Sequence, residues 1–293
     1  MTARRAVALL AAAVLALAAP AAAEAARNTK PYRGAGSWVD IYDPTSVWGN
    51  PEAVIDDLAY QGVRTLYVET GNHRFRPLSA DIAHPEGTAR FIEAAHAAHM
   101  RVVAWYLPGF ANLPRDLRRS MAAIRFRTPT GQAFDSFALD IEAGLVRPIA
   151  RRNAAAVRLS KSIRRRTGSR YPLAAIVPDS RSTTLSTGLW PGFPYRSLRR
   201  FYDVFVPMAY SVYRAHGPKS VYAYTKLNVD LIRARTGDPR VPVHVTGGIS
   251  SGLKASEAEA VVDAANDTGA VGASFYDYGG MRQPLWDALL ELG

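Results

Sequence analysis

No cysteine occurs in this sequence. Disulfides, thiolate metal sites and cysteine nucleophiles are thereby excluded together, and stability must come from a packed core. With 48% apolar residues, such a core is feasible. Long apolar runs are scarce too. The run at residues 6–19 is shorter than the ~20 residues a membrane-spanning helix needs. It follows Arg4 and Arg5 and precedes Pro20-Ala21-Ala22-Ala23, the basic, apolar and small-residue order of a secretory signal. Residues 1–26 are read as a signal peptide cleaved after Ala23 or Ala26, residues 27–35 as a polar linker, and residues 36–293 as one folded domain. The expected location is extracellular or at the cell envelope, with no stable membrane span once the signal is gone. Acids are the third scarcity: 25 Asp+Glu face 36 Lys+Arg, a formal net charge of +11. Such an excess attracts acidic polymers, but the charges are scattered. Arg164-Arg165-Arg166 is the dense cluster, and it suits an exposed helix end. Nucleic acid is not an expected partner, and the protein is expected to be a monomer.

Several chemical signatures are missing as well. Ser180, Ser182, Thr183 and Thr184 stand in no G-x-S-x-G elbow. No Gly-rich phosphate loop follows the first strand-like segment. The histidines at 73, 84, 96, 99, 216 and 244 show no metal-ligand spacing on a shared strand. His96 and His99 fall on a helix that should pack outside, whereas His244 shares a strand face with Thr246 and is a candidate to line a pocket. Gly247-Gly248 follows the seventh strand, where many barrels bind phosphate, but no Gly-rich helix start accompanies it. No cofactor and no metal are expected.

What the chain does contain is a regular alternation. Strand-like segments at residues 36–43, 64–70, 101–107, 135–142, 171–177, 204–210, 241–247 and 270–278 are separated by helical patterns. Asn50-Pro51 and Gly62 bracket the first helix. Further helices are expected at residues 87–100, 114–126, 148–166, 195–202, 219–235, 256–266 and 284–292, with a long loop at residues 181–197. Strands alternating with helices imply parallel pairing with right-handed crossovers. Eight such units imply closure, so the fold class is α/β, a single-domain (β/α)8 TIM barrel, with an open sheet as the alternative.

The most informative stretch is Asp135-Ser136-Phe137-Ala138-Leu139-Asp140-Ile141-Glu142. Phe137, Leu139 and Ile141 alternate with Ala138, Asp140 and Glu142, the period of a strand with one large apolar face. Asp140 and Glu142 then share a side at the carboxyl end of the strand, where barrel enzymes keep their chemistry. Other strand ends carry Asp40, Glu69, Asp179 and Asp277 among Trp38, Trp105, Tyr106, Tyr210 and Tyr276. Carboxylates among flat rings suit sugars: one acid protonates the leaving oxygen, and rings stack on sugar faces. Two neighbouring carboxylates raise the proton affinity of one of them, which makes a general acid. The structural alternative has Asp140 capping a turn and Glu142 paired with an arginine.

The same octapeptide resembles the fourth-strand signature D-G-x-D-x-D-x-E of family 18 glycoside hydrolases, the chitinases and their relatives. Asp135, Asp140 and Glu142 match it, and Ala138 stands in place of the middle Asp. Met208-Ala209-Tyr210 is similar to the family's M-x-Y, followed here by Ser211, and Gly272 to Tyr276 resembles its G-x-x-x-W. The resemblance implies that Glu142 is the general acid and that Asp140 orients a substrate N-acetyl group. It also implies that Tyr210 hydrogen-bonds the acetyl oxygen and that Tyr276 floors the site. Asp40 or Glu69 is the candidate substitute for the missing middle Asp. The function expected is hydrolysis of an extracellular or envelope polysaccharide, with catalytic Glu142 and Asp140. Asp40, Glu69, Trp38, Trp105, Tyr106, Asp179, Tyr210, Tyr276 and Asp277 would bind substrate. A glycan-binding barrel that has lost catalysis is the alternative; a polysaccharide deacetylase would need an Asp/His metal set.

Overall fold

The computed structural model describes residues 28–293, so the expected signal peptide lies outside the described residues. Each expected strand forms: β1 (Gly34–Val39), β2 (Thr65–Asn72), β3 (Arg101–Leu107), β4 (Ser136–Asp140), β5 (Leu173–Val177), β6 (Val204–Pro207), β7 (His244–Ile249) and β8 (Gly272–Tyr276). All named pairings are parallel, in the order β6-β5-β4-β3-β2-β1-β8-β7. The two ends of that series meet through parallel bridges, Phe205 with Val243 and Met208 with Thr246. The sheet therefore closes into a barrel.

Among the described residues ten α-helices accompany the strands. They are α1 (Thr45–Trp48), α2 (Pro51–Tyr60), α3 (Pro85–Ala97), α4 (Leu113–Arg125), α5 (Ile149–Thr167), α6 (Ser180–Thr184), α7 (Tyr195–Leu198), α8 (Pro218–Thr236), α9 (Ala255–Asp267) and α10 (Gln283–Leu290). Among the described residues no helix is long and apolar enough to cross a membrane. Alternation along β4 sorts its side chains between two cores. Phe137, Leu139 and Ile141 pack outward against the helices, while Ala138 joins Trp38, Tyr67, Val103, Trp105 and Ile176 inside. Burying an aromatic or branched side chain stabilises by about 1.5–3 kcal/mol relative to exposure, so misplacing this strand by one residue would forfeit both cores.

Three expectations need correction. Residues 28–35 do not form a linker: Lys30–Tyr32 is a 3-10 turn and Gly34 already opens β1. Tyr32 is fully buried beneath the barrel, its hydroxyl bonded to Ser136 Oγ. The polar flanks of this segment hid one aromatic plug. His244 is fully buried beneath the mouth. Its Nδ1–H donates to the Tyr32 carbonyl (2.8 Å) and its Nε2 accepts from Ser274 Oγ (3.0 Å). Burial pulls its pKa down to about 4, so it is a neutral floor residue. The segment at 181–197 is not a free loop either. Trp190 is fully buried and donates to Asn153 Oδ1 (2.6 Å), with Arg152 4.8 Å over its ring.

The turn after β2 is built by one side chain. Arg119 of α4 is fully buried and lies 5.2 Å from the Phe75 ring. It donates to the carbonyls of Asn72 (2.7 Å), Ala80 (3.1 Å), Phe75 (3.2 Å) and Pro77 (3.3 Å). A guanidinium has five N–H donors in a fixed fork, and here they define the path of a whole loop. Removing them takes a charged donor from four carbonyls, of which Asn72 O keeps the Phe75 N–H and Pro77 O the Ala80 N–H, and a hydrogen bond to a charged group is worth about 1.5–3 kcal/mol. Arg119→Met is expected to lower stability by about 3 kcal/mol or more, measured as a shift of the urea unfolding midpoint; an unchanged midpoint would show that the loop orders itself.

Candidate active site

The carboxyl ends of the strands form an acidic mouth above an aromatic floor. Trp38 stacks on Tyr67 with ring centroids 4.1 Å apart and planes at 12°. Trp105 meets Trp38 edge-on at 6.0 Å, and Tyr276 lies 6.2 Å from both Trp38 and Tyr210. Trp38 is fixed by its indole N–H, which donates to Ser274 Oγ (2.9 Å). Period-two alternation put Trp38, Tyr67 and Trp105 on this side. By the same rule Tyr106 must face outward. It does: its hydroxyl donates to Asp116 Oδ1 (2.9 Å) in the helix layer, so Tyr106 is not part of the mouth.

Asp140 closes β4 and is 5% exposed. Ile141 is still tied to β5 through Ile176 O (2.9 Å), and Glu142 follows, half-buried at the rim. Among the described residues neither carboxylate has a hydrogen bond or ion pair, and Asp140 Oδ1 is buried without a partner. Burial pushes the Asp140 pKa well above the carboxylate range, with Glu142 and Glu69 adding to it. Burial likewise raises that of Glu142, against a lowering pull from Arg74. Tyr210, half-buried, has its hydroxyl pKa raised by burial and then by these two acids. Asp135, which matched the first Asp of the resembling motif, sits at the opposite end of β4. There it binds His96 and Arg101 at 3.0 Å each and the Val102 N–H at 2.9 Å, a structural anchor.

The remaining acids form a network across β1, β2 and β8. Asp40 accepts from the Tyr276 hydroxyl (2.5 Å) and from the Tyr42 N–H (2.6 Å). Glu69 is 2% exposed and accepts from the Ile41 N–H (3.1 Å) and Asn72 Nδ2 (3.0 Å). Burial lifts its pKa from the ordinary 4.5 to about 7. In strand register Glu69 lies opposite Trp105, and Trp105 opposite Ala138, which puts Glu69 at the level of the absent middle Asp. Asp277 sits at the rim, accepting from Gly280 N (3.2 Å), and burial raises its pKa. Asp179 lies on the far wall. It caps α6, accepting from Arg181 N (3.0 Å) and Ser182 N (3.2 Å), and pairs with Arg214 at 3.7 Å.

Several residues at the mouth escaped sequence reading. Asp43 accepts from Asp40 N (2.9 Å), and burial lifts its pKa to about 6. Asn72 is nine-tenths buried and joins Glu69 to the Tyr42 hydroxyl (3.1 Å). Strict alternation from Glu69 would turn Asn72 outward, but a bulge between Glu69 and Gly71 shifts the register. The signal was Gly71, whose φ of +149° suits glycine alone. Gly247, weighed as a phosphate site, has a packing role: a Cβ there would lie 2.2 Å from Val261 Cγ1. Among the described residues, no group of three or more His, Asp or Glu is arranged to hold a metal ion.

The sequence matches no family model, and no curated protein matches it. Solved structures match well. The endo-β-1,4-mannanase of Thermotoga petrophila superposes with a TM-score of 0.68 at 11% identity, over 90% of this chain and 77% of that one. The fold they share with this chain is the (β/α)8 barrel. The spore cortex-lytic enzyme SleL of Bacillus cereus gives 0.60 at 12% identity, over 90% of this chain and 75% of that one. A chitinase of Chromobacterium violaceum gives 0.58 at 12% identity over 88% of this chain and 98% of that one. At such identities the likeness is one of fold.

The proton affinity of Glu69 has a stability consequence with a definite sign. Between pH 4.5 and about 7 the native side chain keeps a proton that the unfolded chain has released. The native state therefore binds more protons, and stability falls as pH rises through that window, by about 3 kcal/mol for Glu69. Asp140 acts in the same direction. Glu69→Gln should flatten the fall in urea midpoint between pH 5 and pH 8, and an unaltered slope would place the titrating group elsewhere.

Proposed function

We propose that the protein hydrolyses glycosidic bonds of an extracellular or cell-envelope polysaccharide, with Glu142 as the general acid. The observation that carries this reading is the pair Asp140 and Glu142. They are two residues apart at the carboxyl end of β4, free of protein partners, raised in proton affinity by burial, and set over an aromatic floor. A carboxyl that keeps its proton near neutral pH can deliver it to a leaving oxygen. Asp140, deeper and next to it, holds negative charge or a shared proton beneath the developing oxocarbenium centre. The Tyr210 hydroxyl stands at the same mouth, placed to donate to a sugar or acetyl oxygen, while the Tyr276 hydroxyl, its proton held by Asp40, is left to accept from a sugar hydroxyl. Trp38 and Trp105 supply the apolar floor. The barrels it resembles include enzymes named for mannan, for chitin and for spore cortex, and an N-acetylated amino sugar suits the resemblance in β4.

A second reading, a glycan-binding barrel without turnover, is favoured by one observation: Ala138 stands where a carboxylate would link Asp140 to the barrel floor. Release of reducing ends from chitin-type, peptidoglycan, galactosaminan and mannan polymers decides between them. Wild type should give product from at least one polymer with a bell-shaped pH profile, and Glu142→Gln should lower kcat by about 10²–10⁴-fold. Sugar binding with no product in wild type would leave only the second reading.

Export through residues 1–26 belongs to the same proposal. The protein isolated from its native source should begin at Glu24 or Arg27 by N-terminal sequencing, and an intact Met1 would remove the export step.

A further inference from the structure

We infer that Arg74 forms a carboxylate subsite on one side of Glu142, with His73 packed behind it, which seats an acidic group carried by the glycan next to the bond to be cut. The inference rests on the placement of the reaction at Glu142 and adds the substrate class. A cleft of about 500 Å³ runs from Glu142 over Gly144 to Leu145 and Leu189, with Asn72, His73 and Arg74 on its other wall. A second recess, on the Tyr210 side, shares Glu142 and Leu189. The acid thus stands between two arms, as it must if sugar units bind on both sides of the bond.

The two arms differ in their cations. On the Tyr210 side, Arg214 is committed to Asp179 (3.7 Å) and Ser182 Oγ (3.4 Å). On the other side, Arg74 is exposed, and its guanidinium has no hydrogen bond or ion pair among the described residues. It is not a partner held by Glu142, since no ion pair joins them. Next to it, both ring nitrogens of His73 are shielded from solvent and have no partner among the described residues. Burial, with Arg74 and Arg115 nearby, lowers the His73 pKa, so the ring is a neutral donor and acceptor.

The wall is rigid. Arg119 fixes the carbonyls on both sides of these two residues, His73 N–H donates to Leu107 O (2.9 Å), and Arg74 N–H donates to Asn72 Oδ1 (2.9 Å). Gly109 admits His73, because a Cβ at 109 would stand 2.9 Å from His73 Cβ. A free guanidinium on a fixed stretch of backbone fits a planar carboxylate by charge-assisted hydrogen bonds. The cleft offers one uncommitted guanidinium, which matches the single charge of a carboxylate better than the double charge of a phosphate dianion. Seating the carboxylate also neutralises the charge of Arg74. That charge now pulls the proton affinity of Glu142 down, so substrate binding would leave the acid better protonated.

The test measures binding, with Glu142→Gln as the parent so that no turnover intervenes. Calorimetry compares two acidic probes with their methyl esters: a tetrasaccharide of N-acetylglucosamine and N-acetylmuramic acid, and tetragalacturonate. The first carries a lactyl carboxylate, the second a uronate. At least one acid should bind about tenfold more tightly than its ester, the worth of one charge-assisted contact. Arg74→Gln in the same parent should bring that ratio close to unity, and Arg74→Lys should keep most of it, with thermal unfolding unchanged in both. Ratios near unity in the parent for both pairs, or a preference that survives Arg74→Gln, would overturn the assignment. So would displacement of the acid probes by inorganic phosphate at concentrations where acetate has no effect. Failure of the hydrolase reading is seen separately, as wild type that prefers the acids yet releases no reducing ends from either.

Discussion

Water is kept from the underside of the mouth by aromatic rings packed across the barrel. Trp38 on Tyr67 and Trp105 against Trp38 set ring faces below Asp140 and Glu69. An ionised carboxylate in such a place must find compensating hydrogen bonds or keep its proton. Glu69 has two donors and still shifts upward; Asp140 has none and shifts further in the same direction. The chemistry read from the mouth depends on this floor. Opening it to water would return both acids toward ordinary carboxylates, whatever their positions.

Charge is sorted by the same architecture. The chain is strongly basic overall, yet its mouth is acidic. Much of the excess is used within the protein. Arg152 donates to the carbonyls of Val146 (2.8 Å), Leu189 (2.9 Å) and Gly144 (3.2 Å). Arg164 holds Phe201 O (2.8 Å), Tyr171 O (2.7 Å) and Asp203 (2.7 Å). Even within Arg164-Arg165-Arg166, the first arginine is a half-buried strut between α5 and the strands. Net charge therefore overstates what the surface offers to partners. The informative cation is the one at the mouth that the fold leaves uncommitted.

The barrel was legible because alternation of strand and helix patterns survives along the whole described chain, and β4 could be assigned face by face from Phe137 to Asp140. Depth along a strand was harder to read. Asp135 and Glu142 belong to one octapeptide but lie at opposite ends of the barrel, one an anchor and one a rim acid. Tyr106 was grouped with Trp105 because both are aromatic, although neighbours on a strand cannot share a face. Asn72 was hidden by a bulge that breaks period two, and Tyr32 by polar neighbours that made a plug look like a linker. In each case the missing information was a contact made by residues far apart in sequence, which local periodicity does not encode.

The clamp by Arg119 separates two properties that loops usually couple. A carbonyl is the same whichever side chain its residue carries, so the backbone route from Asn72 to Ala80 is held from α4 in addition to the loop's own turns. Positions such as 73 and 74 can then be exchanged without rerouting the chain. In a lineage of such barrels, specificity could drift through this segment one residue at a time while the scaffold that aims it stays fixed.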